Sequence, residues 1–377
     1  MTMINKQFYD AANLTENPFR ANPVLEEDPR MSIWVGYEKQ QRDLIKLLER
    51  TRADQHGNVY LGMVYGALGT GKTHALLWAK YQIMKRRKEE FDSAAFYVQS
   101  LLKGKGLSFA GAFSEDIVSK SNLLTENNKY SQFIRECIVV YKQVEKKPKE
   151  KDREVLEKII PPDLHEIAEC ILNCEDESDV RDLLTVKTDY EALLLFSRIV
   201  NLFVYDFKRK SGPSRFKKAM YLFFDEMDIL AESTAKESRD INMLIRHIYD
   251  LCPYCFGMLL AFSGTAADVG VLWTDYVQER VAKHIVLDYL QHDEAKDFIK
   301  AILDTARVDN KRNTGYYPFH EDAIDTVIAT LVSITPRKLV MKMQQIIEEC
   351  RLAGIDPKDG LITDQVLSDK NIWEEIP

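Results

Sequence analysis

The sequence predicts an α/β fold in which a mainly parallel sheet is followed by a helical region. Three features support this prediction. A short apolar strand at residues 58–65 leads through a glycine-rich turn into a helix at residues 74–86. A second apolar strand, at residues 219–224, ends in two carboxylates, and an amphipathic helix follows Thr335. Strands that alternate with helices in this way form parallel sheets with helices on their faces.

The composition is that of a globular protein with a core. Of the 377 residues, 45% are hydrophobic and 29% are charged, with a net charge of −8. This net negative charge argues against a basic protein that coats nucleic acid, although a local basic patch can still bind phosphate. No apolar run approaches the roughly 20 residues of a membrane span, and the N-terminus lacks the apolar core of a signal peptide. Six cysteines suggest no disulfide framework, so we expect a cytoplasmic protein that does not contact membranes.

The glycine-rich turn has the spacing G-x-x-x-x-G-K-[ST]. Its residues are Gly66, Ala67, Leu68, Gly69, Thr70, Gly71, Lys72 and Thr73, with His74 next in the helix. Glycines let backbone N–H groups point at phosphate oxygens, Lys72 reaches the β- and γ-phosphates, and the Thr73 hydroxyl binds Mg²⁺. The helix that follows places its N-terminus at the phosphates. The turn is therefore predicted to be a P-loop that binds ATP with Mg²⁺.

Asp225 and Glu226 follow the second apolar strand directly. Asp225 would hold the Mg²⁺ shell, as the acidic residue after such a strand does in P-loop NTPases. Glu226 would polarise the attacking water. A core strand followed by a solvated acidic turn is the alternative interpretation, and the P-loop elsewhere in the chain favours the catalytic one.

With these two motifs the chain resembles the AAA+ ATPases. Asp225-Glu226-Met227-Asp228-Ile229-Leu230 has the D-E-x-D-x-L form of the initiator clade, which includes origin-recognition, replication-licensing and related DNA-transaction ATPases. Asn17-Pro18-Phe19 and Val35-Gly36-Tyr37-Glu38, before a helix at residues 39–50, are similar to the opening stretch that packs near the adenine in that clade. Tyr37 stands where the clade usually has arginine. The resemblance covers about residues 12–352, with one interruption, and implies an oligomer that hydrolyses ATP.

The resemblance also implies polar sensors at the ends of two strands. Ser263 or Thr265, after a strand at residues 257–263, would be the sensor-1 group near the γ-phosphate. The family more usually has asparagine there, and a Ser-Gly-Thr turn that caps the next helix is the alternative. Gln99, after a strand at residues 94–98, is where the family often places a switch that holds the catalytic glutamate.

Two arginines match family positions that contact phosphate. Arg280, before a short strand at residues 284–287, matches the arginine finger that reaches the nucleotide of a neighbouring subunit. A surface arginine at a helix end is the alternative. Arg337 matches sensor 2, with Thr335 as the N-cap and Pro336 in the first helical turn. An ordinary capped surface helix is the alternative for that segment.

The motif spacing predicts how the chain is organised. We expect residues 1–57 to form an N-terminal linker and the first helix of the AAA+ module, residues 58–290 the α/β core, and residues 291–377 a helical lid. A helical insertion interrupts the core at about residues 101–205, and it is either a partner or DNA-contact module or a decoration of the core. Nucleotide is expected between core and lid. The tail after sensor 2 leaves no room for the winged helix that the initiator clade usually carries.

A basic segment precedes the second motif. Residues 208–218 carry Lys208, Arg209, Lys210, Arg215, Lys217 and Lys218 and no acidic residue, with Phe207 and Phe216 interleaved. DNA or an acidic partner would suit this segment, and a solvated loop is an equally good interpretation.

Two cysteine patterns are better explained by structure than by chemistry. Cys252-Pro253-Tyr254-Cys255 has the C-x-x-C spacing, but it follows a helix instead of opening one, so we predict no redox role. His165, Cys170 and Cys174 lie on one predicted helix without an evident fourth zinc ligand, so buried cysteines are favoured.

The sequence thus predicts an AAA+ ATPase that acts as an oligomeric switch or loader in a DNA transaction, such as replication, transposition or restriction and anti-phage defence. The expected partners are further AAA+ subunits in a homo-oligomer or hetero-assembly, double-stranded DNA and a protein partner. Two alternatives remain, an ATP-ordered scaffold that recruits a protein effector and a protein-remodelling ATPase. The loop at residues 101–106 lacks the aromatic residue of many remodelling pore loops, which favours DNA mildly.

Overall fold

The chain forms two compact units in its computed structural model, which describes residues 3–20, 28–53, 59–104, 106–121, 123–207 and 214–375. The first unit comprises Met1–Arg42, Gly66–Trp78 and Val286–Pro377, and the second comprises Asp43–Tyr65 and Ala79–Ile285. Asn58, predicted to begin the first strand, and Lys105 in the following loop lie outside the described residues.

Seven strands are described, and five of them form one sheet. The strands are β1 Val59–Gly66, β2 Ala94–Val98, β3 Leu102–Lys103, β4 Gly106–Leu107, β5 Met220–Phe224, β6 Phe256–Ser263 and β7 Val281–Leu287. The sheet has the order β2-β5-β6-β1-β7, and β2, β5 and β6 pair in parallel. Strands β5 and β6 are buried almost throughout, as expected where helices cover both faces of a parallel sheet. The predicted α/β fold with a mainly parallel sheet is confirmed.

Helices make up most of the remaining structure. They are α1 Met3–Ala11, α2 Glu38–Thr51, α3 Lys72–Tyr81, α4 Lys88–Phe91, α5 Phe109–Ala112, α6 Leu123–Val144, α7 Asp152–Ile159, α8 His165–Asn173, α9 Glu177–Leu183, α10 Asp189–Val204, α11 Ile229–Glu232, α12 Ala235–Leu251, α13 Ala266–Leu272, α14 Asp275–Gln278, α15 His292–Asp304, α16 Glu321–Ala329, α17 Pro336–Leu352, α18 Asp364–Asp369 and α19 Ile372–Glu375. Among the described residues, none of these helices has the length and apolar character that a bilayer crossing requires.

In the second unit, the predicted insertion is largely helical, from α5 to α10. Apolar residues of this segment are buried, namely Phe133, Ile134, Cys137, Ile138, Leu164, Ile167, Ala168 and Ile171, whereas Tyr141 is half-buried. The segment does not begin as a plain loop, however, because β3 and β4 pair there as a short antiparallel hairpin. The insertion limits at residues 101 and 205 stay predictions.

In the first unit, the helices after residue 291 share one apolar core with the N-terminal segment. Phe8, Leu14 and Phe19 belong to the same buried cluster as Ile346 and Ile347 of α17. The apolar residues Phe8 and Tyr9 of α1 bury their surface in this core. The expected division into a linker and first helix at residues 1–57, a core and a lid stays a prediction.

Candidate nucleotide-binding site

Three glycines shape the loop between β1 and α3, which lies in the first unit. Gly69 has φ +84° and Gly71 has φ +102°, a backbone region that residues with side chains rarely adopt. A Cβ atom on Gly66 would lie 2.0 Å from the backbone oxygen of Leu287, so a side chain there would collide with the main chain. A Cβ atom on Gly71, in contrast, would meet nothing within 4 Å. The loop therefore has the open, curled backbone that a phosphate cradle requires.

Lys72 and Thr70 hold the loop in shape. The Lys72 ammonium donates to the carbonyl oxygens of Gly66 at 3.2 Å and Ala67 at 2.9 Å. The Thr70 hydroxyl donates to the same Ala67 oxygen at 2.9 Å. Because α3 begins at Lys72, the N–H groups of its first turn point out of the helix end and give it a partial positive charge. This end of the helix suits a phosphate group.

Helix α17 begins at the phosphate loop. Thr335 is its N-cap, as predicted, and its hydroxyl accepts from the Lys338 N–H at 3.3 Å. The Arg337 N–H donates to the Gly69 carbonyl oxygen at 3.3 Å. A Cβ atom on Gly69 would lie only 2.9 Å from the Arg337 Cβ. The backbone of Arg337, an exposed residue, thus lies at the loop, and its sensor-2 role stays a prediction.

If Arg337 has the predicted sensor-2 role, Arg337→Ala is expected to slow ATP hydrolysis about 100-fold. This is the typical loss when one hydrogen-bond donor to the negative charge of a transition state is removed. The side chain is exposed, so the free energy of unfolding should change by less than about 0.5 kcal/mol. Steady-state ATPase rates and denaturant unfolding measure the two effects. Lys338→Ala, an exposed neighbour in the same turn, is the matched control. Equal losses in both variants would show that general surface charge is responsible.

The opening segment at residues 33–37 packs against α3. The His74 Nε2 donates to the Ile33 carbonyl oxygen at 2.6 Å, and burial lowers the pKa of His74, which favours the neutral ring. The Trp34 and Trp78 rings lie 4.6 Å apart between centroids. Tyr37 has φ +51° and its N–H donates to a glutamate of α15. The His74 imidazole thus fastens the opening segment to α3, and the nucleotide-binding role of His74 stays a prediction.

The acidic pair lies in the second unit, in a turn held by two strands. The Asp225 N–H donates to the Val98 carbonyl oxygen, and the Met227 N–H donates to that of Ala261, both at 2.9 Å. Asp225 is only 4% exposed, and its Oδ1 accepts from the Glu226 N–H at 2.9 Å. Glu226 is exposed and has φ +52°, a strained conformation for a residue with a side chain.

Two residues that the sequence analysis missed contact this pair. The Tyr97 hydroxyl donates to Asp225 Oδ2 at 2.9 Å. Burial, and then the charge of Asp225, raise the pKa of Tyr97, so the phenol stays a donor. Ser100 lies next to Gln99, the residue that we had proposed as the glutamate's partner, and its hydroxyl acts on the pKa of Glu226. Partial burial of Glu226, followed by the charge of Asp225, raises the pKa of Glu226, while Ser100 lowers it.

The two sensor-1 candidates have different surroundings. The Ser263 N–H, at the end of β6, donates to Asp228 Oδ1 at 3.2 Å and so links this strand to the acidic turn. Thr265 is exposed, and its N–H and hydroxyl both donate to Asp268 Oδ2, at 2.7 and 2.9 Å. Thr265 therefore caps helix α13, which was the alternative interpretation of this residue. This favours Ser263 for the sensor-1 role, which stays a prediction.

Arg280 follows α14 and its guanidinium is held by groups of its own chain. Nε and Nη2 donate to Asp250 Oδ1 at 3.1 and 3.0 Å. Nη1 donates to the Tyr276 carbonyl oxygen at 2.6 Å, which caps the end of α14. In this conformation Arg280 is an arginine at a helix end, which was the alternative interpretation. A finger role stays a prediction that requires Arg280 to leave Asp250.

The described part of the basic segment is bound to the core. Lys217 pairs with the buried Glu126 at 2.7 Å. Phe216 and Phe207 pack against Phe133, at 5.7 and 5.5 Å between centroids, and so serve the core instead of interleaving with a ligand. Residues 208–213, with Lys208, Arg209 and Lys210, lie outside the described residues.

The two cysteine patterns differ in burial. Cys170 is exposed and Cys174 is half-buried, so the expectation of buried cysteines there was wrong. Cys252 and Cys255 are 0% and 1% exposed, and burial raises the pKa of Cys252, which keeps its thiol protonated. Within the described ranges, no group of three or more His, Cys, Asp or Glu residues is arranged to hold a metal ion, so His165, Cys170 and Cys174 form no such cluster.

Comparison with known proteins gives structural matches only. No protein-family model and no curated protein matches the sequence. The Aeropyrum pernix ORC1 protein in complex with DNA matches at 13% identity and a TM-score of 0.45, over 93% of this chain and 68% of that one. The ADP form of the Aeropyrum pernix ORC2 protein matches at 13% identity and 0.49, over 94% and 71%. A chain of the E. coli MS115-1 HORMA:CdnC:Trip13 complex matches at 13% identity and 0.45, over 93% and 92%.

The order of the sheet agrees with the motifs. The P-loop follows β1, between β6 and β7, and the acidic pair follows β5, on the other side of β6. The chain thus has an α/β fold in which the two motifs follow β1 and β5 of one five-stranded sheet. The motifs of the sequence pointed to the glycine-rich loop, the acidic pair and Arg337, whose roles stay predictions, whereas Tyr97 and Ser100 belong to no motif. Their one sequence signal is a hydroxyl at the carboxyl end of a buried strand, where a phenol needs a hydrogen-bond partner.

Proposed function

We propose that the chain binds ATP with Mg²⁺ and hydrolyses it, as an oligomeric AAA+ switch or loader in a DNA transaction. The observation that carries the proposal is the phosphate loop. Its Gly66 has no room for a Cβ atom, its Gly71 faces open space, and Arg337 hydrogen-bonds to its Gly69. A loop of this shape at a helix N-terminus, with an arginine beside it, suits a polyphosphate.

The residues that would hold Mg²⁺ fit a hard cation. Asp225 is nearly buried. Both of its oxygens accept hydrogen bonds from neutral donors, and a buried carboxylate requires a counter-charge. The resemblance assigns Mg²⁺ to the Asp225 carboxylate and the Thr73 hydroxyl, and each offers oxygen, which Mg²⁺ prefers. Bound Mg²⁺ would neutralise charge that develops on the phosphates.

Glu226 would position the attacking water and accept its proton. Its carboxylate is exposed, so water reaches it, while its backbone is fixed by the turn between β5 and α11. Lys72 and Arg337 would bind the phosphate oxygens. Ser263 would sense the γ-phosphate, and Arg280 would act on a neighbouring subunit's nucleotide.

The DNA part of the proposal rests on the D-E-x-D-x-L motif of Asp225–Leu230 and on the resemblance to the initiator clade, so it is an inference by analogy. We expect double-stranded DNA to stimulate ATP turnover by the wild-type chain, with no turnover by Glu226→Gln in either condition. Steady-state phosphate release with and without duplex DNA measures this. An ATP turnover rate that is the same with and without DNA would contradict the DNA-transaction role and favour a role with a protein partner.

A protein-remodelling ATPase is the second candidate. The hairpin of β3 and β4 directly follows β2, where remodelling ATPases often carry a substrate-gripping loop, and Leu102 on it is 46% exposed. The hairpin has no aromatic residue, which keeps this function second. Tight ATP binding without turnover in any condition would favour the remaining alternative, an ATP-ordered scaffold.

A further inference from the structure

Tyr97 is the one polar side chain on strand β2, whose other residues are alanine, phenylalanine and valine. In the parallel register Tyr97 lies opposite Phe223 and Val98 opposite Phe224, so the next residue on β5 is Asp225. The Asp225 N–H continues this ladder by donating to the Val98 carbonyl oxygen at 2.9 Å. The backbones of the two strands therefore fix how Tyr97 and Asp225 face each other.

The carboxylate of Asp225 is held at both oxygens. Oδ1 accepts from the Glu226 N–H and Oδ2 accepts from the Tyr97 hydroxyl, each at 2.9 Å. Each carboxylate oxygen accepts more than one partner, so both keep a lone pair for a cation. Without the phenol, only the short turn to Glu226 would fix the rotation of the carboxylate. The Tyr97 hydroxyl thus determines the direction in which the remaining lone pairs point.

We propose that Tyr97 is a positioning residue for Mg²⁺, which orients the Asp225 carboxylate through the hydrogen bond to Oδ2. The inference rests on the proposed function, because Asp225 is the metal ligand there. Hydrogen bonds from outer residues to a ligating carboxylate set its orientation, and their loss typically lowers metal affinity about 10- to 100-fold. A phenol serves well because it remains a neutral donor and adds no charge that would repel the cation.

Tyr97→Phe tests the proposal because it removes the hydroxyl and keeps the ring. The matched control is Tyr221→Phe on the adjacent strand β5. The Tyr221 hydroxyl is buried and donates to the Leu48 carbonyl oxygen at 2.5 Å, so its loss has only a structural effect. Binding of a fluorescent ATP analogue is titrated in EDTA and then against Mg²⁺, and thermal unfolding of each variant is recorded.

We expect all three proteins to bind the analogue equally in EDTA. The Mg²⁺ concentration for half of the metal-dependent gain in affinity should rise about 10-fold in Tyr97→Phe and stay unchanged in Tyr221→Phe. An unchanged Mg²⁺ midpoint in Tyr97→Phe, with a wild-type chain that responds to Mg²⁺, would overturn the inference and leave the proposed function intact. A wild-type chain with no Mg²⁺ response would overturn the proposed metal site and the inference with it.

Discussion

Glu226→Gln is expected to reduce ATP hydrolysis by about 10²- to 10⁴-fold while ATP still binds, since the amide cannot accept the proton of the attacking water. The variant keeps the size and the polarity of the side chain. The substitution leaves the residues of the phosphate loop unchanged, so ATP binding is expected to persist. Single-turnover hydrolysis and equilibrium binding of a fluorescent ATP analogue separate the two properties.

The pH dependence of the rate gives a second measure of the same group. Burial and the charge of Asp225 raise the pKa of Glu226, so the carboxylate is lost at a higher pH than for an ordinary glutamate as the solution is acidified. We therefore expect the acidic limb of the rate profile to lie above pH 4.5, the usual value, and to vanish in Glu226→Gln. Glu232→Gln, an exposed neighbour on α11, serves as the control. Loss of nucleotide binding in Glu226→Gln would refute a purely catalytic role.

Gly66→Ala is expected to abolish measurable ATP binding. The new methyl group would lie 2.0 Å from the Leu287 carbonyl oxygen, a backbone atom that cannot rotate away. The loop or strand β7 must therefore shift, which we expect to lower the free energy of unfolding by about 1–3 kcal/mol, as overpacking typically does. Isothermal titration with ATP and denaturant unfolding measure the two effects.

Gly270→Ala is the matched control for that substitution. Gly270 lies in α13, and a Cβ atom there would meet nothing within 4 Å. Alanine should stabilise the helix by about 0.5–1 kcal/mol and leave ATP binding intact. If Gly66→Ala bound ATP as the control does, the close packing at residue 66 would have no bearing on the phosphate site.

The parts of the fold that were predicted are those encoded by local patterns. β1, β5 and β6 are continuous apolar runs, and the N-cap Thr335 precedes a proline and an amphipathic run, so short windows suffice to find them. Strand β7 begins at Val281, three residues before the predicted start at residue 284. The sequence pattern missed these residues because they alternate between half-buried and exposed and include polar side chains. At the edge of a sheet such a pattern resembles a loop.

What escaped prediction depends on contacts between distant parts of the chain. Tyr97 and Asp225 are separated by 128 positions, and only the pairing of β2 with β5 brings them together. The hairpin of β3 and β4 has two residues in each strand, too few for a periodic signal. Arg280 illustrates a further limit, because a motif gives the place of a residue and not its partner, here Asp250.

The left-handed backbone of Glu226 means that stability and chemistry favour different residues at this position. Glycine adopts φ +52° without the steric penalty that a β-carbon brings, a difference of about 1–2 kcal/mol. A stability-guided redesign of the chain would therefore replace Glu226 with glycine and, under the proposed function, would delete the catalytic carboxylate while improving the fold. Thermostability is thus the wrong criterion for choosing the residue that follows Asp225, and a selection for turnover is the right one.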